Sequence, residues 1–234
     1  MSKKLIIANW KLNPLTLADA QKLAAPISVK AKNKVVLCPP TIYLSQITYP
    51  LLGAQDCFWE DKGPHTGQTS PLQLKDFGVK YSLVGHSERR GVGETDEMVN
   101  KKLKALLAHK ITPVLCVGFG TTVEQDDLEV TDVLKRQLDA DLKEVDASQV
   151  IVAYEPVWAI SSGDPYATKK VATPEHAEKI SIFIKTKYQV PTVLYGGSVN
   201  VNNAKGFLEQ TNVGGLLVGG ASLIAEDFNK IINM

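Results

Sequence analysis

Eight short runs rich in apolar and β-branched residues recur along the chain: Leu5 to Ala8, Val35 to Cys38, Leu52 to Gln55, Tyr81 to Gly85, Thr112 to Val117, Val150 to Ala153, Thr192 to Tyr195 and Gly215 to Val218. Most are continuously apolar rather than alternating, which is the pattern of parallel strands covered on both faces. Between them lie stretches of helical character, among them Thr16 to Ala31, Thr95 to His109, Leu128 to Leu142 and Pro174 to Tyr188. Thr95 and Thr173 stand where N-caps belong, the second followed by Pro174 and Glu175, residue types favoured in a first helical turn. A strand followed by a helix, repeated eight times in 234 residues, favours a closed (β/α)8 barrel over a doubly wound sheet. Neither a composition shift nor a linker divides the chain, so a single α/β domain over residues 1–234 is expected.

The remaining composition narrows the class of function. A chain that is 44% hydrophobic and 22% charged is ordinary for a globular domain. Its net charge of +1, without a long run of Lys and Arg, argues against nucleic acid or an anionic membrane as partner, so an anionic ligand must be held locally. Cys38, Cys57 and Cys116 are odd in number, far apart and set in apolar surroundings, as buried thiols of a reducing compartment are, and they lack zinc-site spacing. Met1 to Lys4 lead straight into a strand-like run too brief for a signal segment, and no apolar stretch reaches bilayer length. A cytoplasmic protein is expected.

In a barrel of this kind the chemistry belongs at the carboxyl ends of the strands. The residues there are Asn9-Trp10-Lys11, Gly85-His86-Ser87-Glu88, Cys116-Val117-Gly118, Glu155-Pro156, Tyr195-Gly196-Gly197-Ser198 and Gly219-Gly220-Ala221-Ser222. Glu155 ends an apolar strand and precedes a proline with fixed φ and no N–H. That suits a general base aimed into a site under a hinged flap, and equally a strand-end glutamate in a salt bridge. Taken singly, Lys11 reads as a solvated lysine and His86 as a satisfied core histidine. Taken together, Lys11, His86 and Glu155 converge on one mouth. The glycine-rich tips after the last two strands are where such barrels hold a phosphate on backbone N–H groups, which points to a phosphate monoester.

These residues carry a resemblance to a known family. Asn9-Trp10-Lys11, Gly85-His86-Ser87-Glu88-Arg89-Arg90, Ala153 to Ile160, Tyr195-Gly196-Gly197-Ser198-Val199 and Leu217 to Leu223 are similar to the signature segments of the triosephosphate isomerases, and the similarity runs over essentially the whole chain. The resemblance implies a TIM barrel that interconverts dihydroxyacetone phosphate and D-glyceraldehyde 3-phosphate through an enediolate, without cofactor or metal. It implies Glu155 as the proton-transfer base and His86 as a neutral imidazole donating to the carbonyl oxygen. Lys11 is implied as the positive charge, with Asn9 beside it. The phosphate is expected on N–H groups near Ser161, Ser198, Gly219 and Gly220. A homodimer is implied, with Thr66 of the protruding loop Gly63 to Gln68 reaching toward the partner's Asn9 and Lys11; Gln68 there replaces a usual Glu.

Other departures are local. The usual Cys-x-Gly-Glu reads Cys116-Val117-Gly118-Phe119, so a carboxylate expected near Trp158 is missing and the flap's resting contacts must differ. The flap itself, between Pro156-Val157-Trp158 and Lys170-Val171-Ala172, is about six residues longer than the family pattern. Its tip aligns either at Ser161-Ser162-Gly163 or at Ala167-Thr168-Lys169. The first alignment, which makes Ser161 the phosphate donor, is preferred. Deleting Asp164 to Lys169 is expected to leave folding intact while changing turnover or the fraction of substrate lost as methylglyoxal; unchanged steady-state kinetics and yield would mark the extra residues as a neutral surface insertion.

Overall fold

The computed structural model describes residues 3–160 and 171–234. Eight parallel strands run in the order β2-β1-β8-β7-β6-β5-β4-β3. They are β1 (Leu5–Asn9), β2 (Lys34–Cys38), β3 (Gly53–Ala54), β4 (Tyr81–Val84), β5 (Thr112–Val117), β6 (Ile151–Tyr154), β7 (Thr192–Tyr195) and β8 (Val213–Val218). A parallel bridge between Leu37 and Leu52 brings β2 against the start of the β3 segment and nearly closes the ring. The helices are α1 (Leu17–Ala24), α2 (Pro71–Asp76), α3 (Ser87–Gly91), α4 (Asp96–Ala108), α5 (Asp127–Asp141), α6 (Pro174–Tyr188), α7 (Ala204–Leu208) and α8 (Ala225–Ile232). The expected α/β barrel is the fold observed.

Thr95 and Thr173 cap α4 and α6 through their side chains, as their positions predict, and Asp126 with Glu129 forms a capping box that starts α5. The first helix is the main departure. Expected to Ala31, it ends at Ala24, because Pro26 supplies no N–H and its ring would strike the carbonyl one turn back. The third strand is also shorter than its sequence run, only two residues long.

Side chains alternate across the barrel wall. Leu5, Ile7, Val36, Cys38, Leu83, Val114, Cys116, Ile151, Ala153, Leu194 and Leu217 fill the interior, whereas Ile6, Ala8, Leu37, Val84, Leu115, Val152, Val193 and Leu216 join the layer packed under the helices. Continuing the inward phase past each strand end reaches Asn9 after Leu5 and Ile7, Glu155 after Ile151 and Ala153, Gly196 after Leu194, and Gly219 after Leu217.

Behind the β4 tip sits a buried ion cluster. Arg90 donates from Nε to the Gly85 carbonyl at 2.8 Å, pairs with Asp141 of α5 at 2.6 Å and also pairs with Asp96. A Cβ at Gly85, whose φ is +69°, would stand 2.8 Å from that guanidinium, so the turn requires glycine. Asp141 is fully buried and its Oδ1 has no partner among the described residues. Burial pushes this carboxyl up to about 7 even though Arg90 lies against it. The unfolded carboxyl titrates near 4, so between roughly pH 4 and 7 the native state holds a proton that the unfolded chain has lost. The stabilisation from this group is therefore full below about pH 4 and declines as pH rises through about 7. Urea unfolding at pH 5 and pH 8 is expected to show this decline in the unaltered protein and a smaller one in Asp141→Asn.

Candidate active site

At the end of β1, Asn9 points inward and its Oδ1 accepts the Lys11 N–H at 3.1 Å. Lys11 adopts φ of +54°, a left-handed conformation that costs a non-glycine residue energy and is found mainly where a side chain must be aimed. Gln55 clamps the strained turn from below, its Nε2 donating to the carbonyls of Lys11 at 2.8 Å and Cys38 at 2.9 Å. The Lys11 ammonium reaches Glu88, with Nζ 2.6 Å from Oε1.

At the end of β4, His86 is the N-cap of α3, and its Nδ1 accepts the Glu88 N–H at 3.2 Å. A nitrogen that accepts an N–H carries no proton, so in this geometry the ring holds its proton on Nε2. That Nε2 lies 3.0 Å from Glu155 Oε1. Glu155 follows β6 and is almost wholly buried; its Oε2 accepts the Ser87 N–H at 3.1 Å. The backbone around it leaves little freedom. Its own N–H donates to Val117 O at 2.8 Å, and a Cβ at Gly118, where φ is +117°, would fall 2.3 Å from its carbonyl oxygen.

Burial alone would lift the Glu155 pKa, but the His86 ring and the Ser87 N–H outweigh it and hold the carboxylate below the ordinary glutamate range. The same contact acts on the imidazole with opposite sign. Burial disfavours its charged form, and the Glu155 carboxylate overrides that and draws the His86 pKa above its usual value. In this state, then, desolvation does not make Glu155 a stronger base. The pair is mutually stabilised.

The glycine tips complete the mouth. Asn9, Lys11, His86, Glu155, Ser198, Gly219 and Gly220 all line one cavity of about 20 Å³, room for roughly one water. Gly220–Leu223 forms a single 3-10 turn after β8, tied by Ser222, whose N–H and hydroxyl both donate to the Gly219 carbonyl. The Ser198 N–H is engaged, donating to the Ala159 carbonyl at 2.7 Å, so this donor reaches an anion only after the turn following Pro156 shifts. Ser161 lies outside the described residues. Near the same turn, Trp158 Nε1 is buried without a hydrogen-bond partner among the described residues, in keeping with Phe119 standing where a carboxylate was expected.

The strand tips of β1, β4, β6, β7 and β8 thus each contribute a residue to one cavity, whereas the β5 tip Cys116-Val117-Gly118, also singled out from the sequence, does not line it. Four supporting groups escaped the sequence reading: Glu88 as the partner of Lys11, Gln55 under the Lys11 turn, the Ser87 N–H on Glu155, and Arg90 behind Gly85. Gln55 left a signal as the polar residue closing an apolar run. The Lys11–Glu88 contact spans 77 positions and left none.

Comparison with known proteins places this arrangement. The family model described as triosephosphate isomerase matches residues 4–234. Proteins named triosephosphate isomerase from Caldanaerobacter subterraneus subsp. tengcongensis and Thermoanaerobacter pseudethanolicus are each 41% identical over 255 aligned positions, covering 100% of both chains. One from Trichodesmium erythraeum is also 41% identical, covering 100% of this chain and 99% of its own. With the barrel, the strand-tip constellation and this full-length similarity in agreement, the chain belongs to the triosephosphate isomerase family.

Proposed function

We propose that this protein interconverts dihydroxyacetone phosphate and D-glyceraldehyde 3-phosphate by proton transfer through an enediolate, as an isomerase of glycolysis and gluconeogenesis in the cytoplasm. The observation that carries the reading is the meeting of Glu155, His86 and Lys11 at one barrel mouth beside the glycine tips of β7 and β8. No helix among the described residues is long and apolar enough to cross a membrane.

The chemistry follows from the contacts. The cavity is too small for a triose phosphate, so the substrate enters by parting groups that now touch, and the Glu155–His86 contact is the central one. Once parted from His86 and Ser87, Glu155 keeps the burial that raises its pKa and loses the main contacts that lowered it, with the Lys11 charge remaining. It then removes a proton from the carbon beside the carbonyl and returns it to the neighbouring carbon. His86 loses the carboxylate that favoured its charge, while burial and Lys11 continue to disfavour it. The neutral ring donates from Nε2 to the carbonyl oxygen and passes protons between the two enediolate oxygens. Lys11, exchanging Glu88 for the substrate, supplies the positive charge, with Asn9 at the same oxygens. Backbone N–H groups at Ser198, Gly219 and Gly220 receive the phosphate, Ser198 after release from Ala159.

The active form is a homodimer. Leu12 and Leu15, after β1, are each 87% exposed, and Ile42, after β2, is 73% exposed. Such large apolar side chains on adjoining loops at one rim are suited to burial by a second copy. The exposed loop around Thr66, which follows the neighbouring β3, reaches toward the partner's mouth.

A coupled assay started with glyceraldehyde 3-phosphate is expected to show turnover that falls about 10²- to 10³-fold in Lys11→Met and in His86→Gln. Glu155→Asp, with its carboxylate set back by one methylene, is expected to fall severely as well. Absence of wild-type turnover would discard the proposed reaction; turnover indifferent to Glu155→Asp would discard Glu155 as the base. Sedimentation at assay concentration is expected to give a dimer, and a fully active monomer would remove that assignment.

A further inference from the structure

Glu155 is braced on both sides by one residue of a different element. His176, in the first turn of α6, has its Nε2 3.0 Å from the hydroxyl of Tyr154, the residue before Glu155. Its ring also meets the indole of Trp158, three residues after Glu155, edge-on at 6.3 Å between centroids. Tyr154 is buried and Trp158 half-buried. Because the Trp158 indole N–H has no partner among the described residues, ring contact rather than a hydrogen bond fixes the indole beside His176.

Asp127 favours one direction for these hydrogen bonds. His176 Nδ1 lies 2.9 Å from Asp127 Oδ1, and an ionised carboxylate only accepts, so Nδ1 carries the proton. In the tautomer protonated on Nδ1, Nε2 accepts the Tyr154 hydroxyl. Asp127 is itself fixed, its Oδ2 receiving Lys179 at 2.9 Å. A hydrogen bond and ion pair to Lys179, together with the contact to His176, hold this half-exposed carboxyl below the usual range despite some desolvation. The chain Lys179, Asp127, His176, Tyr154 thus runs from the start of α5 and the first turns of α6 to the tip of β6.

We infer that His176, oriented by Asp127, is a positioning residue for Glu155: it fixes the register of Tyr154 and the turn Val157 to Ala159, between which the base is suspended. This rests on the reaction proposed above. It assigns a role to a residue that touches neither substrate nor reacting atoms. With Phe119 where a carboxylate was expected, the β5 side holds this turn through Thr121, whose Oγ1 accepts the Val157 N–H at 3.3 Å, and His176 adds support from α6.

Three variants separate positioning from structure. His176→Leu removes both hydrogen bonds, His176→Gln retains one donor and one acceptor, and Tyr154→Phe removes the hydroxyl alone. His176→Leu is expected to lower kcat by about 10- to 100-fold with little change in KM, because a shift of under an ångström in the base affects the chemical step more than binding. It is also expected to raise the fraction of turnovers that end as inorganic phosphate and methylglyoxal. Tyr154→Phe should act alike, the double variant should be no worse than either single one, and His176→Gln should recover most of the loss. A second readout needs no turnover: the Trp158 indole N–H resonance, assigned with Trp158→Phe, should move in His176→Leu and return in His176→Gln. If the resonance follows this pattern while the wild type lacks isomerase activity, the proposed reaction fails and the brace stands. Unchanged kcat and product partition in a folded His176→Leu would overturn the inference, as would failure of His176→Gln to rescue.

Discussion

A parallel strand closed into a barrel hands its side chains alternately to the interior and to the helix layer, and this two-residue period governs everything at the mouth. Inside, the strands must be apolar, since the space between Ile7, Leu83, Val114 and Leu194 offers polar groups no partners. One step beyond the last apolar residue the same phase still points inward, but into a space open to a ligand. Asn9 and Glu155 occupy such steps, and Gly196 occupies another, where a Cβ would crowd the Glu155 side chain at 3.0 Å. The barrel thereby gathers at one mouth groups that are distant in sequence.

Holding a carboxylate and an imidazole 3.0 Å apart in a buried place would be costly unless each satisfied the other. The Ser87 N–H on Glu155 and the Glu88 N–H on His86 complete that satisfaction, leaving a resting pair whose pKa values are displaced in opposite ways. In the proposed reaction the same burial becomes productive once a substrate stands between them. The energy of the Glu155–His86 contact would then be exchanged for contacts with the reacting oxygens, generating basicity only when there is a proton to take. Lys11 follows the same logic with Glu88 as its resting partner.

Much of this was legible in the chain. Continuous apolar runs identified the parallel strands, and the residues just after them identified the mouth, because position relative to a strand end is a local property. The N-caps at Thr95 and Thr173 were legible for the same reason. What was not legible depended on pairing across the fold. Nothing in spacing links Lys11 to Glu88, Arg90 to Asp141, or Tyr154 to His176. The His86 contact that sets the direction of the Glu155 shift was hidden for the same reason, since desolvation can be guessed from an apolar run whereas a partner across the barrel cannot. The early end of α1 was readable from Pro26, where helical periodicity was given too much weight against a missing N–H.

The most direct test of the account is the carboxyl titration of Glu155, followed by carbon-13 NMR of selectively labelled protein, with and without 2-phosphoglycolate, which pairs a phosphate with a carboxylate in place of the enediolate. A pKa below that of an ordinary glutamate is expected in the free protein, lost in Ser87→Pro or His86→Gln, and a pKa raised above the ordinary value is expected when the ligand separates Glu155 from His86. An ordinary pKa in the free protein, or no upward movement on binding, would contradict it.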